Sequence, residues 1–254
     1  MEIKQIVIVG GGASGIVAAI AAARAGADVT IIEQKEIIGK KILSTGNGRC
    51  NLTNECMMVD CFRGEQTDIV VDVINSFGVA STLRFFNELG ILTKSKNGYI
   101  YPLSEQAVAV LDVLTMELKR LHVQILLDTK VSFIDCNKND FIIRTNYHSI
   151  KCNSIILATG GKAASVLGSD GSGYILSKAL GHSITPVVPA LVQLKCLGNY
   201  FKKIAGVRVD ATVTAIIDGK QQVADTGELQ LTNYGISGIP VFQISRYIAM
   251  GLYE

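Results

Sequence analysis

Tryptophan is absent from this chain, tyrosine and phenylalanine are scattered, and there are three histidines. No lysine- or arginine-rich stripe is interleaved with aromatics, and the formal net charge is only +2, so nothing in the sequence favours a nucleic-acid partner. No apolar run is long enough to span a bilayer, so no membrane partner is expected. The first apolar run lacks a charged leader and a cleavage site, which makes the cytoplasm the expected compartment and reduced thiols the expected state of the six cysteines. There is no C-x-x-C pair and no Cys and His spacing that suits zinc, so no metal is expected. Cys56 and Cys61 stand five apart, the separation used by flavin disulfide reductases, yet no flavin-proximal helix signal surrounds them; they read as two unrelated loop thiols. What is abundant is aliphatic: 48% of 254 residues are hydrophobic, enough for a large core and a buried parallel sheet.

The most informative stretch runs from Ile6 to Glu33 and reads IVIVGGGASGIVAAIAAARAGADVTIIE. It predicts strand, glycine turn, alanine-rich helix and second strand, with Gly10, Gly12 and Gly15 in G-x-G-x-x-G spacing. Gly10 permits the tight turn, Gly12 lets a pyrophosphate approach the backbone, and Gly15 lets the helix pack close to the strand. The helix start, at Ala13 and Ser14, offers unpaired N–H groups and a positive dipole end to phosphate. Glu33 ends the second strand, where an acid accepts hydrogen bonds from ribose hydroxyls and repels a 2′-phosphate. This unit alone leaves NAD and FAD both open.

Gly39 to Asn54, GKKILSTGNGRCNLTN, is polar and glycine-rich. Gly46, Asn47 and Gly48 give three chances to place backbone N–H groups, and Lys40, Lys41 and Arg49 add positive charge. Arg49 could fork two oxygens at once. A loop that touches a ligand explains this density of glycine, asparagine and cations better than a solvated connector does. Farther on, Ile155 to Leu157 reads as a buried strand, followed by Ala158, Thr159, Gly160 and Gly161, small residues that allow close approach at a strand's carboxyl end.

The glycine turn, GKKILSTGNGRCNLTN, NGYIYPLSEQA at 97–107, ILATGG at 156–161, GSDGSGYILSKALGHSITPVVPALVQL at 168–194 and LTNYGISGIPVFQIS at 231–245 together resemble the HI0933-like flavoproteins. The resemblance implies an α/β fold: a doubly wound parallel sheet of the Rossmann-like FAD-binding kind with a β-meander, followed by a β-rich second domain. It implies FAD as cofactor, NAD(P)H as electron donor, and reduction of an activated C=C bond in a small hydrophobic substrate. The candidate cofactor-binding residues are then Gly10, Gly12, Ala13, Ser14, Gly15, Glu33, Gln34, Lys41, Gly46, Asn47, Gly48, Arg49, Cys50, Asn51, Val131, Ala158, Thr159, Gly160 and Gly161. Val131 is expected to offer a backbone contact to adenine, and no catalytic acid or base can be assigned. Two other readings remain: a nucleotide-binding or assembly flavoprotein without independent turnover, and a simple NAD-dependent dehydrogenase, which leaves the loop and ATGG unexplained.

The remaining pattern fills in this frame. Thr67 to Leu121 reads as mainly helical, with Ser104 as N-cap of a helix running to about Leu121 and Leu111, Leu114, Leu118 and Leu121 on its core face. Val123–Leu127 is a third parallel strand; three short strands follow at 131–136, 141–145 and 149–152, with a turn over Asn137 to Asp140. Asp170 to Leu180 is a helix stopped by Gly181. His182 lies just past that helix and reads as a cap; His122 and His148 have no partners at useful spacing. Pro186 and Pro189 mark a boundary, giving an FAD-binding domain over 1–188 and the start of an inserted substrate domain over 189–254. In the second domain, strands are expected at Val192–Lys195, Val207–Ile217 and Glu228–Leu231, an Asp218-Gly219 hairpin turn and a helix over Ile239–Met250. Because family members continue past Glu254, that domain is expected to be unfinished. An unpaired strand edge would then invite self-association or a partner chain, and the isoalloxazine would be loosely fixed.

Overall fold

The computed structural model describes residues 3–64, 66–138 and 140–253; Asn139 of the expected turn and the expected end at Glu254 lie outside the described residues. The turn's flanks are tied, with Asn137 N–H donating to the Asp140 carbonyl at 2.9 Å. The chain forms two compact units, Met1–Ile184 and Thr185–Glu254.

In the first unit, β1 (Gln5–Val9) and β2 (Asp28–Ile32) are parallel and joined by α1 (Ala13–Arg24). Next come β3 (Thr53–Asn54), α2 (Thr67–Ser76), α3 (Val79–Glu88), β4 (Thr93–Lys96), β5 (Tyr99–Pro102) and α4 (Ala107–Arg120). β6 (Gln124–Leu126) pairs with β2. β7 (Val131–Cys136), β8 (Phe141–Thr145) and β9 (Ser149–Cys152) form an antiparallel meander. β10 (Ser154–Leu157) returns beside β1, so the parallel sheet has the order β10-β1-β2-β6, and α5 (Ser172–Ala179) follows.

The pleat of β1 sorts its side chains between two cores. Ile8 packs with Ile16, Ala19 and Ile20 of α1 and with Val110, Leu114 and Leu118 of α4. Val7 and Val9 point to the opposite face and join Val131, Ile134 and Ile143 of the meander and Leu176 of α5. Helices α1 and α4 therefore cover one face of the sheet, and the meander with α5 the other. The alanines of α1 serve the first core directly: Ala19 is fully buried, and Ala18, Ala22 and Ala23 pack against it.

The expected helical stretch is interrupted. After α2 and α3 the chain makes the β4–β5 hairpin, whose tip residues Asn97 and Gly98 have φ of +54° and +82°, the two left-handed residues of a tight hairpin turn. α4 starts at Ala107, not near Ser104, whose hydroxyl accepts the Gln106 N–H at 3.4 Å in the preceding turn. β10 is half-buried, not buried, because it is an edge strand of the sheet.

The second unit contains β11 (Leu194–Lys195), α6 (Phe201–Ile204), β12 (Arg208–Ile217), β13 (Lys220–Thr232), β14 (Gly235–Gly238) and α7 (Ile239–Tyr253). Its antiparallel order is β11-β14-β13-β12. Asp218 and Gly219 turn the β12–β13 hairpin with φ of +49° and +75°. The short strand expected at Glu228–Leu231 is the end of the 13-residue β13, whose polar first half disguises it, and the strand expected at Val192–Lys195 shrinks to two residues. Among the described residues the outer edge of β12 pairs with no strand.

No single described helix is long and apolar enough to cross a membrane; α2 and α3, bent by 44°, pass that test only as a pair.

Candidate functional site

A cavity of ≈430 Å³ opens at the carboxyl ends of β1, β2 and β10 in the first unit. That is where parallel α/β sheets hold ligands, and the volume is within the usual range for small-molecule sites. The three glycines that frame it do different work. Gly10 has φ of +108°, and a side chain there would meet the Ala158 carbonyl oxygen at 2.5 Å. At Gly15 a methyl group would lie 1.9 Å from the Gly10 carbonyl oxygen, so α1 can approach the turn only without one. Gly12 is the contrast: a Cβ there would meet no atom within 4 Å. That empty space, beside the N–H groups of Gly12, Ala13 and Ser14, none of which donates to the backbone of a described residue, is a cradle for an external acceptor.

Glu33 is fixed before any ligand arrives. Its Oε2 accepts the Gly11 N–H at 2.7 Å and its Oε1 accepts the Lys35 N–H at 2.9 Å. Each carboxylate oxygen keeps a second acceptor position, and the side chain lines the cavity. Gly11, which the sequence motif leaves unremarked, is the link: its N–H orients Glu33, and its carbonyl accepts the Gly39 N–H at 2.7 Å. Its doubling with Gly10 and Gly12 was the available signal.

The opposite wall comes from Ala158, Thr159, Gly160 and Gly161. Their smallness has an internal cause as well as an external use. A side chain on Gly160 (φ +71°) would meet Ser169 Oγ at 2.5 Å, and Thr159 Oγ1 fills the space where Gly173 would carry a Cβ, at 1.9 Å. Lys41 Nζ donates to the Ala163 carbonyl at 2.9 Å and Ser169 Oγ at 2.6 Å, and Gln34 Nε2 donates to the Gly168 carbonyl at 2.7 Å. Two side chains thus hold the 163–169 segment across the cavity. Sequence reasoning missed Thr129, Lys130, Gly168, Ser169 and Leu176 as lining residues; the first two come from a loop with no motif, and the last three from the 168–194 run, to whose residues the resemblance assigns no site role.

Of the other candidates, Cys50, Asn51 and Val131 line the cavity, while Gly15 lies beneath the turn. Gly46, Asn47, Gly48 and Arg49 do not line it. Left-handed φ at Gly46 (+55°), Asn47 (+56°) and Gly48 (+81°) turns the chain aside, and Arg49 lies over the Tyr101 ring at 5.5 Å with its Nε donating to the Gly46 carbonyl. Lys40 lines the cavity but its ammonium pairs with Glu36 at 2.6 Å. Burial pushes the Cys50 thiol up, against a hydrogen bond with Thr45. His182 donates its backbone N–H to the Ser177 carbonyl just past α5 and lines no part of the cavity. Cys56 and Cys61, read as unrelated thiols, are in contact, with their sulfurs 3.5 Å apart.

A parallel sheet with a glycine turn at a helix start, an acid fixed at the second strand and a meander on one face is a Rossmann-type nucleotide-binding architecture. The chain matches the HI0933-like protein Rossmann domain over residues 4–245 and belongs to that family. It is 56% identical over 253 residues to a 3-dehydro-bile acid delta(4,6)-reductase of Clostridium scindens, covering 99% of this chain and 62% of that protein. It is 29% identical to a ribosomal RNA dihydrouridine synthase of Haemophilus influenzae, covering 97% of this chain and again 62% of the relative. The chain therefore spans less than two thirds of the length of these relatives. Among solved structures, the open conformation of a flavocytochrome c3 fumarate reductase superposes with a TM-score of 0.53 at 16% identity, over 82% of this chain and 47% of that one, and shares the fold.

Proposed function

We propose that this protein is an FAD-dependent oxidoreductase that uses NAD(P)H to reduce an activated C=C bond in a small hydrophobic substrate. The observation that carries this reading is the meeting, in one cavity, of the free N–H groups at Gly12 to Ser14, the pre-fixed Glu33 carboxylate and the ATGG edge. Bound FAD would supply the hydride chemistry; the chain supplies binding, orientation and exclusion of water. In this reading the pyrophosphate is held at Gly12, Ala13 and Ser14, and the adenosine ribose at Glu33. Adenine is held along the Val131 backbone, while Gln34, Lys41, Cys50, Asn51 and Ala158 to Gly161 line the rest of the path. Gly46 to Arg49 are assigned to shaping the loop beside it.

Both relatives' names support the reaction class, because a delta(4,6)-reductase and a dihydrouridine synthase each describe the saturation of a carbon–carbon double bond. The much higher identity to the bile acid reductase favours a small apolar substrate over RNA, as does the net charge of +2. In the same reading, residues 1–188 form the cofactor domain and 189–254 contribute to a substrate domain. The unpaired β12 edge is a place for self-association or a partner chain, and six free cysteines suit the cytoplasm.

Anaerobic mixing of the FAD-loaded protein with NADH or NADPH tests the donor. Bleaching of the flavin band is expected with one of them, and a flavin that neither reduces would contradict this part of the proposal.

A further inference from the structure

Cys56 and Cys61 lie between β3 and α2, outside the cavity. A short turn brings them together: Asn54 Oδ1 accepts the Cys56 N–H at 2.8 Å, and the Cys61 N–H donates to the Met58 carbonyl at 2.9 Å across the 3-10 turn Val59–Cys61. Their sulfurs are 3.5 Å apart, both residues are exposed, and neither is in a disulfide. Of the other four cysteines only Cys136 is exposed. The contact with Cys56, first through their hydrogen bond, raises the Cys61 thiol above its ordinary value, and either sulfur can be the donor. Attack by either sulfur first gives the same disulfide, and the route through Cys56 stands for both.

We propose that Cys56 and Cys61 form a thiol–disulfide exchange site that takes a low-molecular-weight disulfide as oxidant and closes into an intramolecular disulfide. The Cys56 thiolate, its proton released to solvent, attacks one sulfur of R–S–S–R and expels R–S⁻, leaving a mixed disulfide. Cys61 then gives up its proton, attacks the Cys56 sulfur and expels the second R–S⁻. Two protein S–H bonds and one external S–S bond are lost, one protein S–S bond forms, and the two thiolates leave as two R–SH. Two electrons pass from the protein to the external disulfide.

The second step is intramolecular between groups already in contact, so ring closure outruns a second external attack. The sulfurs must close from 3.5 Å to about 2 Å, and the surroundings can give. The segment is exposed, and α2, which follows it, buries no residue along its length. This site is independent of the cofactor reading and has its own readout.

The test is to equilibrate the reduced full-length protein with glutathione disulfide, count free thiols and map the adducts by mass. The expected result is the paired loss of the Cys56 and Cys61 thiols, with their peptides linked and no glutathione on either, whatever adduct the exposed Cys136 takes up. In Cys61→Ser the reaction is expected to stop at a glutathione adduct on Cys56 that a dithiol reductant removes. Separate glutathione adducts on Cys56 and Cys61 of the wild-type protein would overturn the proposal, as would Cys56 and Cys61 thiols that both remain free after equilibration.

Discussion

Glu33, proposed to bind the adenosine ribose, is already positioned by the fold. Two backbone N–H donors hold its carboxylate, so the remaining acceptor positions face the cavity without a side-chain entropy cost at the moment of binding. Glu33→Ala is expected to weaken FAD binding roughly ten- to a hundredfold, the worth of a charge-assisted hydrogen bond of about 1.5–3 kcal/mol. Glu33→Gln should weaken binding less than Glu33→Ala, because its amide oxygen still accepts from one of Gly11 and Lys35 while its nitrogen accepts from neither; equilibrium titration of both variants checks this. The glycines separate the same way. Gly12→Ala should fold normally and lose FAD, since its Cβ enters only the empty cradle. Gly15→Ala should lose about 1–3 kcal/mol of stability or more, as its Cβ meets the Gly10 carbonyl oxygen. Thermal melts with FAD titrations on both variants distinguish the two roles. Glu33 and the spaced glycines were legible in the sequence because the strand–turn–helix context fixes what each must do. The absence of Arg49 from the cavity was not, because a run of glycine and asparagine leaves the direction of the chain open until left-handed φ values at 46–48 set it.

At the scale of elements, α1 and α4 are clamped by charge as well as by aliphatic packing. Glu117 on α4 is buried and accepts from Arg24 at the end of α1 (2.8 Å) and from Arg120 one turn on (2.7 Å). The Arg120 hydrogen bond first, and then Arg24 against the cost of burial, hold its carboxyl down to about 2 from the usual 4.5. A carboxyl lowered on folding stabilises the fold above its unfolded pKa and loses that contribution as pH falls through the folded one. Glu117→Gln is therefore expected to cost about 1–3 kcal/mol at neutral pH, with the gap to wild type closing between pH 4.5 and 2. Denaturant melts across that range read it directly; a gap that stays constant would assign the clamp no electrostatic role. The α4 core face was legible from the spacing of Leu111, Leu114 and Leu118, but this clamp was not, since nothing local pairs Arg24 with a residue 93 positions away. The β4–β5 hairpin escaped because its strands are only four residues each, too short for alternation to declare itself beside long helical patterns.

For the whole molecule, every residue that lines the cavity belongs to the first unit, between Val9 and Leu176. The stretch from His182 to Gln193 carries no helix or strand. Limited proteolysis is expected to cut there and leave an N-terminal fragment that binds FAD as well as the intact chain does; a fragment that loses FAD would show that the second unit contributes to the site. The parallel sheet and the meander follow from patterns spread over many residues, which is why they could be read in advance, whereas the full length of β13 is hidden by its polar first half.

In the proposed function the glycine turn and Glu33 hold the adenosine diphosphate half of FAD. Calorimetric titration of FAD into the purified apoprotein, repeated with saturating ADP and with Glu33→Ala, tests it most directly. FAD is expected to bind, ADP to compete with it, and Glu33→Ala to weaken both ligands roughly ten- to a hundredfold. A protein that binds no FAD, or binds it with an affinity indifferent to ADP and to Glu33, would contradict the account.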